Sequence, residues 1–245
     1  MRARECEAVL FDLDGVLTRT AAVHERAWSR LFTDVIATVG DAVRPYSIDD
    51  YFAYVDGKLR ADGVQAVLAS RGIDLPLGHP DDDPTAQTIH GLGNRKNDMF
   101  LTELERHGVE AFDGAAEVLD WLEQQGIPKA VVSSSHNADS VLRAVGLRHR
   151  VDLVVDGLMA MSQGLAGKPA PDTYLYAAEQ LSAFPGRTVV VEDANSGVEA
   201  GRRGGFWVVG IDRGAGHDTL TRHGADVVID QLDELFAVDR GLSRS

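Results

Sequence analysis

Residues Ala8 to Thr18 read Ala-Val-Leu-Phe-Asp-Leu-Asp-Gly-Val-Leu-Thr, an apolar run that stops abruptly at two aspartates flanking one leucine. Val9, Leu10 and Phe11 have no polar face, which is the pattern of a strand buried on both sides in a parallel sheet. Gly15 gives the backbone freedom to leave such a sheet at once. Asp12 and Asp14 are thereby placed at the strand's carboxyl end. Ligands of open α/β sheets bind in the crevice outside those ends, so the two acids are the first candidates for catalysis. An ordinary Asp-Gly turn would leave the same local trace, and the rest of the chain has to decide between the two.

Two patterns follow. From Ala21 to Val39 apolar residues recur at Val23, Ala27, Leu31, Val35 and Val39, a four-residue rhythm that predicts an amphipathic helix. Ile48 to Tyr54, Asp62 to Arg71 and Gly93 to His107 also read as helical, with no buried parallel strand among them. Gly78-His79-Pro80-Asp81-Asp82-Asp83-Pro84 is too rich in proline and acid for regular structure and is expected to be an exposed loop. From Phe112 onward helices and strands alternate. Helices are expected over residues 115–125, 138–145, 172–181, 196–203 and 218–223, and strands over 130–133, 153–155, 188–191, 207–211 and 226–229. Alternation of this kind means βαβ units and a parallel sheet. The first strand belongs with them. The expected fold is therefore a Rossmann-like, doubly wound α/β core formed by residues 1–18 and 110–245. A helical cap, residues 19–109, interrupts it as a lid. Only Leu242 to Ser245 read as a frayed tail.

Bulk properties narrow the function. A chain of 245 residues can bury a full core. Its formal net charge of -14 argues against nucleic acid and against anionic membrane surfaces, both of which require basic faces. An anionic substrate must then meet a local positive site. Cys6 is the single cysteine, so no internal disulfide forms, and no apolar run is long enough to span a bilayer. A cytoplasmic, monomeric protein is expected.

Three further strand ends carry pointed chemistry. Val131-Val132 runs into Ser133-Ser134-Ser135-His136-Asn137, whose hydroxyls, amide and backbone N–H groups suit phosphate oxygens. Val189-Val190-Val191 runs into Glu192-Asp193, two acids that suit Mg²⁺, a hard ion that takes few carboxylates and keeps positions open for water and phosphate. Between them, Gly167-Lys168-Pro169-Ala170-Pro171 stiffens the backbone around one lysine that can neutralise a phosphoryl group. Each piece has a plain alternative: a serine-rich loop, a helix cap, a solvated lysine. Their order is more specific than any one of them.

The succession Asp-x-Asp, Ser, Lys-Pro, Glu-Asp resembles the haloacid dehalogenase-like phosphotransferases over the whole core. The resemblance implies that Asp12 is the nucleophile and Asp14 the general acid and base, and that Ser133 and Lys168 hold the phosphoryl group. It also implies that Asp12, the Asp14 carbonyl, Glu192 and Asp193 form a magnesium site. Within the insert, Thr20, His24 and Trp28, then Asp56 to Gly63 with Gly57 and Arg60, and Arg95-Lys96-Asn97-Asp98 look like the lid of β-phosphoglucomutases. That likeness implies that Arg60 grips the phosphate not being transferred, while Thr20, His24 and Lys96 couple lid closure to the acid/base. Ser134, Ser135 and Asn137 complete the expected phosphate and sugar contacts.

The expected activity is conversion of β-glucose 1-phosphate to glucose 6-phosphate through an aspartyl phosphate and β-glucose 1,6-bisphosphate, with a phosphosugar as the small-molecule partner. A Mg²⁺-dependent sugar-phosphate phosphatase is the near alternative; a non-enzymatic phosphosugar sensor is disfavoured by the intact Asp12 and Asp14. Two features depart from the resemblance. Arg19 stands where an acid is common beside the Thr20 position, and the 78–84 loop lengthens the cap.

Overall fold

The computed structural model describes residues 6–39 and 43–236. The expected tail at Leu242 to Ser245 lies outside them. After strand β1 (Ala8–Phe11) come helices α1 (Ala21–Val39), α2 (Ile48–Asp50, continued by a π-helical turn Tyr51–Val55), α3 (Arg60–Ala69) and α4 (Ile89–His107). The alternating half begins with α5 (Ala115–Gln124), β2 (Lys129–Val132), α6 (Ala138–Ala144), β3 (Leu153–Val155) and α7 (Gly157–Gln163). It continues with α8 (Asp172–Gln180), β4 (Thr188–Glu192), α9 (Asn195–Arg203), β5 (Trp207–Ile211), α10 (His217–His223) and β6 (Val227–Ile229).

All six strands are parallel and lie in the order β3-β2-β1-β4-β5-β6. Connections run one way from β1 to β3 and the other way from β4 to β6, so the order reverses between β1 and β4, where such sheets bind ligands. The α/β expectation holds for the reason the sequence suggested: β1 and β2 are buried along their whole lengths. Leu10, Val132, Val190, Val198 and Val208 meet Tyr174 and Phe206 in one apolar cluster. Each fully buried aliphatic side chain contributes about 1.5–3 kcal/mol.

Contacts divide the chain into two compact units, Met1–Arg19 with Glu110–Ser245, and Thr20–Val109. Arg19 thus groups with the α/β unit and not with the insert. Its N–H donates to Glu110 O at 2.9 Å, and its guanidinium lies 4.4 Å from the centre of the Phe112 ring. The helical unit has its own core of Trp28, Leu31, Phe32, Val35, Val64, Val67, Leu68 and Leu92. On α1 the buried stripe widens to include Trp28, Phe32 and Ile36, whereas Val39 is exposed. Beneath this core the buried Asp50 carboxylate accepts from Arg44 Nη2 and Arg71 Nη2, each at 2.5 Å. Burial works against ionisation of Asp50, but the two guanidinium groups and the Ser47 N–H outweigh it and hold the carboxyl well below the usual range.

Sequence expectation and structure differ at two places in the α/β unit. Lys129 opens β2 although it is charged, because its buried ammonium pairs with Glu123 and with Asp152, the latter at 3.5 Å. Helix α7 has no counterpart among the expected elements. It is only seven residues long, and Leu158 and Met161 face outward, so no apolar stripe announces it. Asp156 caps it by accepting from the Met159 N–H at 2.8 Å.

Candidate active site

Three neighbouring strands deliver the site of the α/β unit. Asp12 follows β1, Ser133 follows β2, and Glu192 ends β4. Lys168 reaches in from the segment before α8, and all three of its ammonium protons find acceptors: Asp12 Oδ1 at 2.6 Å, Glu192 Oε1 at 2.6 Å and Val132 O at 3.1 Å. Asp12, Lys168 and Glu192 are all buried. Burial alone would depress the lysine, yet the two carboxylates prevail and hold it well above its ordinary value. Burial pushes the Asp12 carboxyl up, with Lys168 pulling the other way.

Glu192 is the most constrained of the acids. Its Oε1 also accepts from Tyr174 Oη at 2.9 Å, and its Oε2 accepts from the N–H groups of Asp193 and Ala194 at 3.0 and 3.1 Å. A side chain at Gly197 would place Cβ 1.7 Å from Glu192 Oε1, so the first turn of α9 is open to this carboxylate only through the glycine.

Asp12, Glu192 and Asp193 offer oxygens that lie within 4.8 Å of one another. Three acids against one lysine leave two negative charges, and an all-oxygen set of that charge fits a hard divalent cation such as Mg²⁺. Because Glu192 already accepts four hydrogen bonds, Asp12 and Asp193 are the better placed ligands. Asp14 was assigned through its carbonyl; its carboxylate accepts from Ser133 Oγ at 3.3 Å.

The serine loop is more self-contained than expected. The Ser135 N–H donates to Ser133 Oγ at 3.1 Å and the Asn137 N–H to Ser135 Oγ at 3.2 Å. These two amides are therefore turned to the loop's own hydroxyls. Ser134 lies between Ser133 and Ser135, half-buried.

Gly15 is required by its setting. Its φ is +93°, and an added Cβ would lie 1.8 Å from Asp193 Oδ2. Gly15→Ala should displace that carboxylate and lower activity by about 10²-fold, with part of the loss recovered at raised Mg²⁺. Titrating Mg²⁺ against rate for both proteins checks it; unchanged activity would remove Asp193 from the site.

Two residues of this site escaped the sequence reading. Tyr174 presents its ring 5.0 Å from the Lys168 ammonium while holding Glu192. Its helical register offered a signal, since Thr173, Tyr174, Ala177 and Ala178 form the inward face of α8. Arg213 donates from Nε to Gly15 O at 2.9 Å and lies 3.9 Å from the Phe112 ring centre. A lone arginine in a glycine-rich loop gives no such signal. Near it, His217 pairs with Asp230 at 2.8 Å, and that hydrogen bond raises the imidazole above its ordinary value. The pair ties the start of α10 to the residue that follows β6.

The helical unit carries its own polar cluster. Lys96, 3% exposed, donates to His24 Nδ1, which must therefore be the unprotonated ring nitrogen. Its ammonium also sits 4.9 Å from the Trp28 ring and 5.0 Å from Phe100, on which His24 stacks at 4.0 Å. Buried Thr20 immediately precedes α1, its carbonyl accepting from the His24 N–H at 2.9 Å. Trp28 is part of the apolar core, stacked on Phe32. Gly57, with φ +71°, makes the turn into α3, whose first residue is Arg60. Arg60 donates to Asn97 Oδ1 at 2.9 Å and Asn94 Oδ1 at 3.3 Å.

A parallel sheet that gathers Asp-x-Asp, serine, lysine and paired acids at its switch point is the arrangement of a phosphoryl-transfer family. A family model for haloacid dehalogenase-like hydrolases matches residues 6–205, and the chain belongs to that family. The likeness narrows further. A β-phosphoglucomutase of Mycobacterium tuberculosis is 48% identical over 94% of this chain and 91% of its own length, which places the chain with the β-phosphoglucomutases of that family. Hexitol phosphatase A of Escherichia coli is 31% identical over 94% and 93%. In fold, the chain matches a β-phosphoglucomutase from Clostridium difficile with a TM-score of 0.76 at 21% identity, covering 98% of this chain and all of that one.

Proposed function

We propose that this chain is a β-phosphoglucomutase that interconverts β-glucose 1-phosphate and glucose 6-phosphate through β-glucose 1,6-bisphosphate. The observation that carries the reading is 48% identity to a β-phosphoglucomutase across nearly the whole chain. The site is consistent with it. An Asp12 carboxylate oxygen attacks phosphorus, the bond to the sugar oxygen breaks, and Asp14 gives that oxygen its proton. In the return step Asp14 takes the proton of the accepting sugar hydroxyl as the phosphoryl group leaves Asp12. Lys168 offsets phosphoryl charge, and Ser133 orients Asp14. Asp12, the Asp14 carbonyl and Asp193 would hold Mg²⁺, with Glu192 beside them, and the ion would supply charge neutralisation for the attack on an anion. In the helical unit, Arg60 binds the phosphate that is not being transferred, through its planar fork. Ser134, Ser135, Asn137, His24, Lys96, Thr20 and Gly57 shape the remaining sugar and phosphate contacts. The protein is proposed to act as a cytoplasmic monomer. Among the described residues no helix is long and apolar enough to cross a membrane.

The test is incubation with Mg²⁺, β-glucose 1-phosphate and a trace of bisphosphate, with glucose 6-phosphate and free phosphate measured separately. Glucose 6-phosphate should dominate. Excess free phosphate would favour a sugar-phosphate phosphatase, the reading that the likeness to hexitol phosphatase A keeps open. Arg60→Ala should cut the mutase rate by about 10²-fold or more, and by at least about tenfold more than it cuts hydrolysis of acetyl phosphate, which has no distal phosphate. Equal losses would make Arg60 a structural residue.

A further inference from the structure

The acidic loop Gly78–Pro84 has no place in the chemistry above, and its partners lie on α4. Two of its three acids, Asp82 and Asp83, are spent on local turns, and Asp81 faces solvent. Asp82 Oδ2 accepts from Thr88 Oγ1 at 2.6 Å and from the His79 N–H at 3.1 Å, while Asp83 Oδ1 accepts from the Thr85 N–H and hydroxyl at 2.8 and 2.6 Å. What the loop presents to α4 is main-chain oxygen. Asn94 Nδ2 donates to Pro80 O and to Asp82 O, both at 2.9 Å, and Arg95 Nε donates to Pro84 O at 2.8 Å.

Two carbonyls on one amide nitrogen settle which way the Asn94 amide points. Only the NH₂ end can face them, so Oδ1 faces the other side, and there it meets Arg60 Nη1 at 3.3 Å. Asn97 Oδ1 takes the second nitrogen, Nη2, at 2.9 Å. The arginine stem is fitted to the same helix, because a Cβ at Gly93 would approach Arg60 Cδ to 3.0 Å. Both head-group acceptors are neutral amides. They orient the fork without cancelling its charge, which remains for an anion. Burial lowers the guanidinium to about 10, with Asp98 pulling it back up, so the group stays charged at neutral pH.

We propose that Asn94 is a positioning residue for Arg60, and that the Gly78–Pro84 loop is the brace that sets the Asn94 amide, and through it the plane in which Arg60 meets the distal phosphate of a sugar bisphosphate. This rests on the reading of Arg60 given above. The loop is then a specificity element internal to this chain.

The experiment is a double-mutant cycle between Asn94→Ala and Arg60→Ala, reading kcat and KM for β-glucose 1-phosphate with saturating bisphosphate, KM for the bisphosphate, and acetyl phosphate hydrolysis. Asn94→Ala is expected to raise the bisphosphate KM by about 10-fold, as loss of a hydrogen bond to a charged group would, and to leave acetyl phosphate hydrolysis within about twofold. In the Arg60→Ala background the same change should have no further effect. Asp82→Ala, which loosens the loop by removing a carboxylate that bonds to neither residue, should act in the same direction, more weakly, and also vanish in the Arg60→Ala background; it serves if Asn94→Ala does not fold. An unchanged KM in Asn94→Ala, or an equal loss with and without Arg60, overturns the proposal. If Arg60→Ala alone leaves the bisphosphate KM unchanged, the distal-phosphate reading falls first and this one with it, and that arm identifies the failure.

Discussion

Asp12→Asn is expected to give a folded protein whose turnover is lower by at least about 10⁴-fold, because an amide does not attack phosphorus and the covalent route closes with it. Its stability should move the other way. In the native site one buried ammonium faces two buried carboxylates. The asparagine side-chain oxygen still accepts from Lys168, while one of the two opposing negative charges is gone. Calorimetry in the absence of Mg²⁺ should therefore find Tm equal to or above that of the parent, beside an activity near zero. A fall in Tm together with activity would make Asp12 chiefly structural, and retained turnover would remove it as nucleophile.

Lys168→Met should be the most damaging single change to the fold of the α/β unit. It leaves Asp12 and Glu192 buried without their shared cation, and Val132 O without its donor. Breaking a buried pair of this kind costs about 3–5 kcal/mol, a large part of a typical total of about 5–15 kcal/mol. For a chain of this size that corresponds to a drop in Tm of about 10 °C. Mg²⁺ should narrow the drop, since a cation among Asp12, Glu192 and Asp193 replaces part of the lost charge. The double variant with Asp12→Asn should be more stable than Lys168→Met alone, because one of the uncompensated acids has been neutralised. If Mg²⁺ and the second substitution both leave Tm where Lys168→Met put it, the carboxylates are not what the lysine stabilises.

The parts of the site legible in the sequence are those that ride on strand ends. Val9 to Phe11, Val131-Val132 and Val189 to Val191 are apolar without a polar face, so where each run stops, the next residue is committed to the sheet's carboxyl edge. Asp12, Ser133, Glu192 and Asp193 were located this way. What stayed hidden depends on pairing across the chain. Lys129 and Asp50 look like surface charges until Glu123 and Asp152, or Arg44 and Arg71, are known to meet them. Glu192 announces its acid in the sequence, but not the contacts with Lys168, Tyr174 and two N–H groups that fix it. The acidic loop is irregular and exposed, as its composition implied, but composition does not show that Asp82 and Asp83 close its turns while its carbonyls make the contacts with α4.

The two passages of chain into and out of the helical insert run side by side, with Thr18 bridged to Ala111, Arg19 N–H bonded to Glu110 O, and Phe112 N–H to Leu17 O. Central strand β1 must find Lys129 and Val189 across the whole insert, which on an open chain is a slow, entropically costly closure. An insert with a core of its own that returns to its starting point removes most of that distance once it has formed. To the sheet it then behaves as a short connection, whatever its length. The same geometry makes the insert exchangeable: a different bundle grafted between residues 19 and 110 would leave the strand order as it is, without re-solving how the sheet folds.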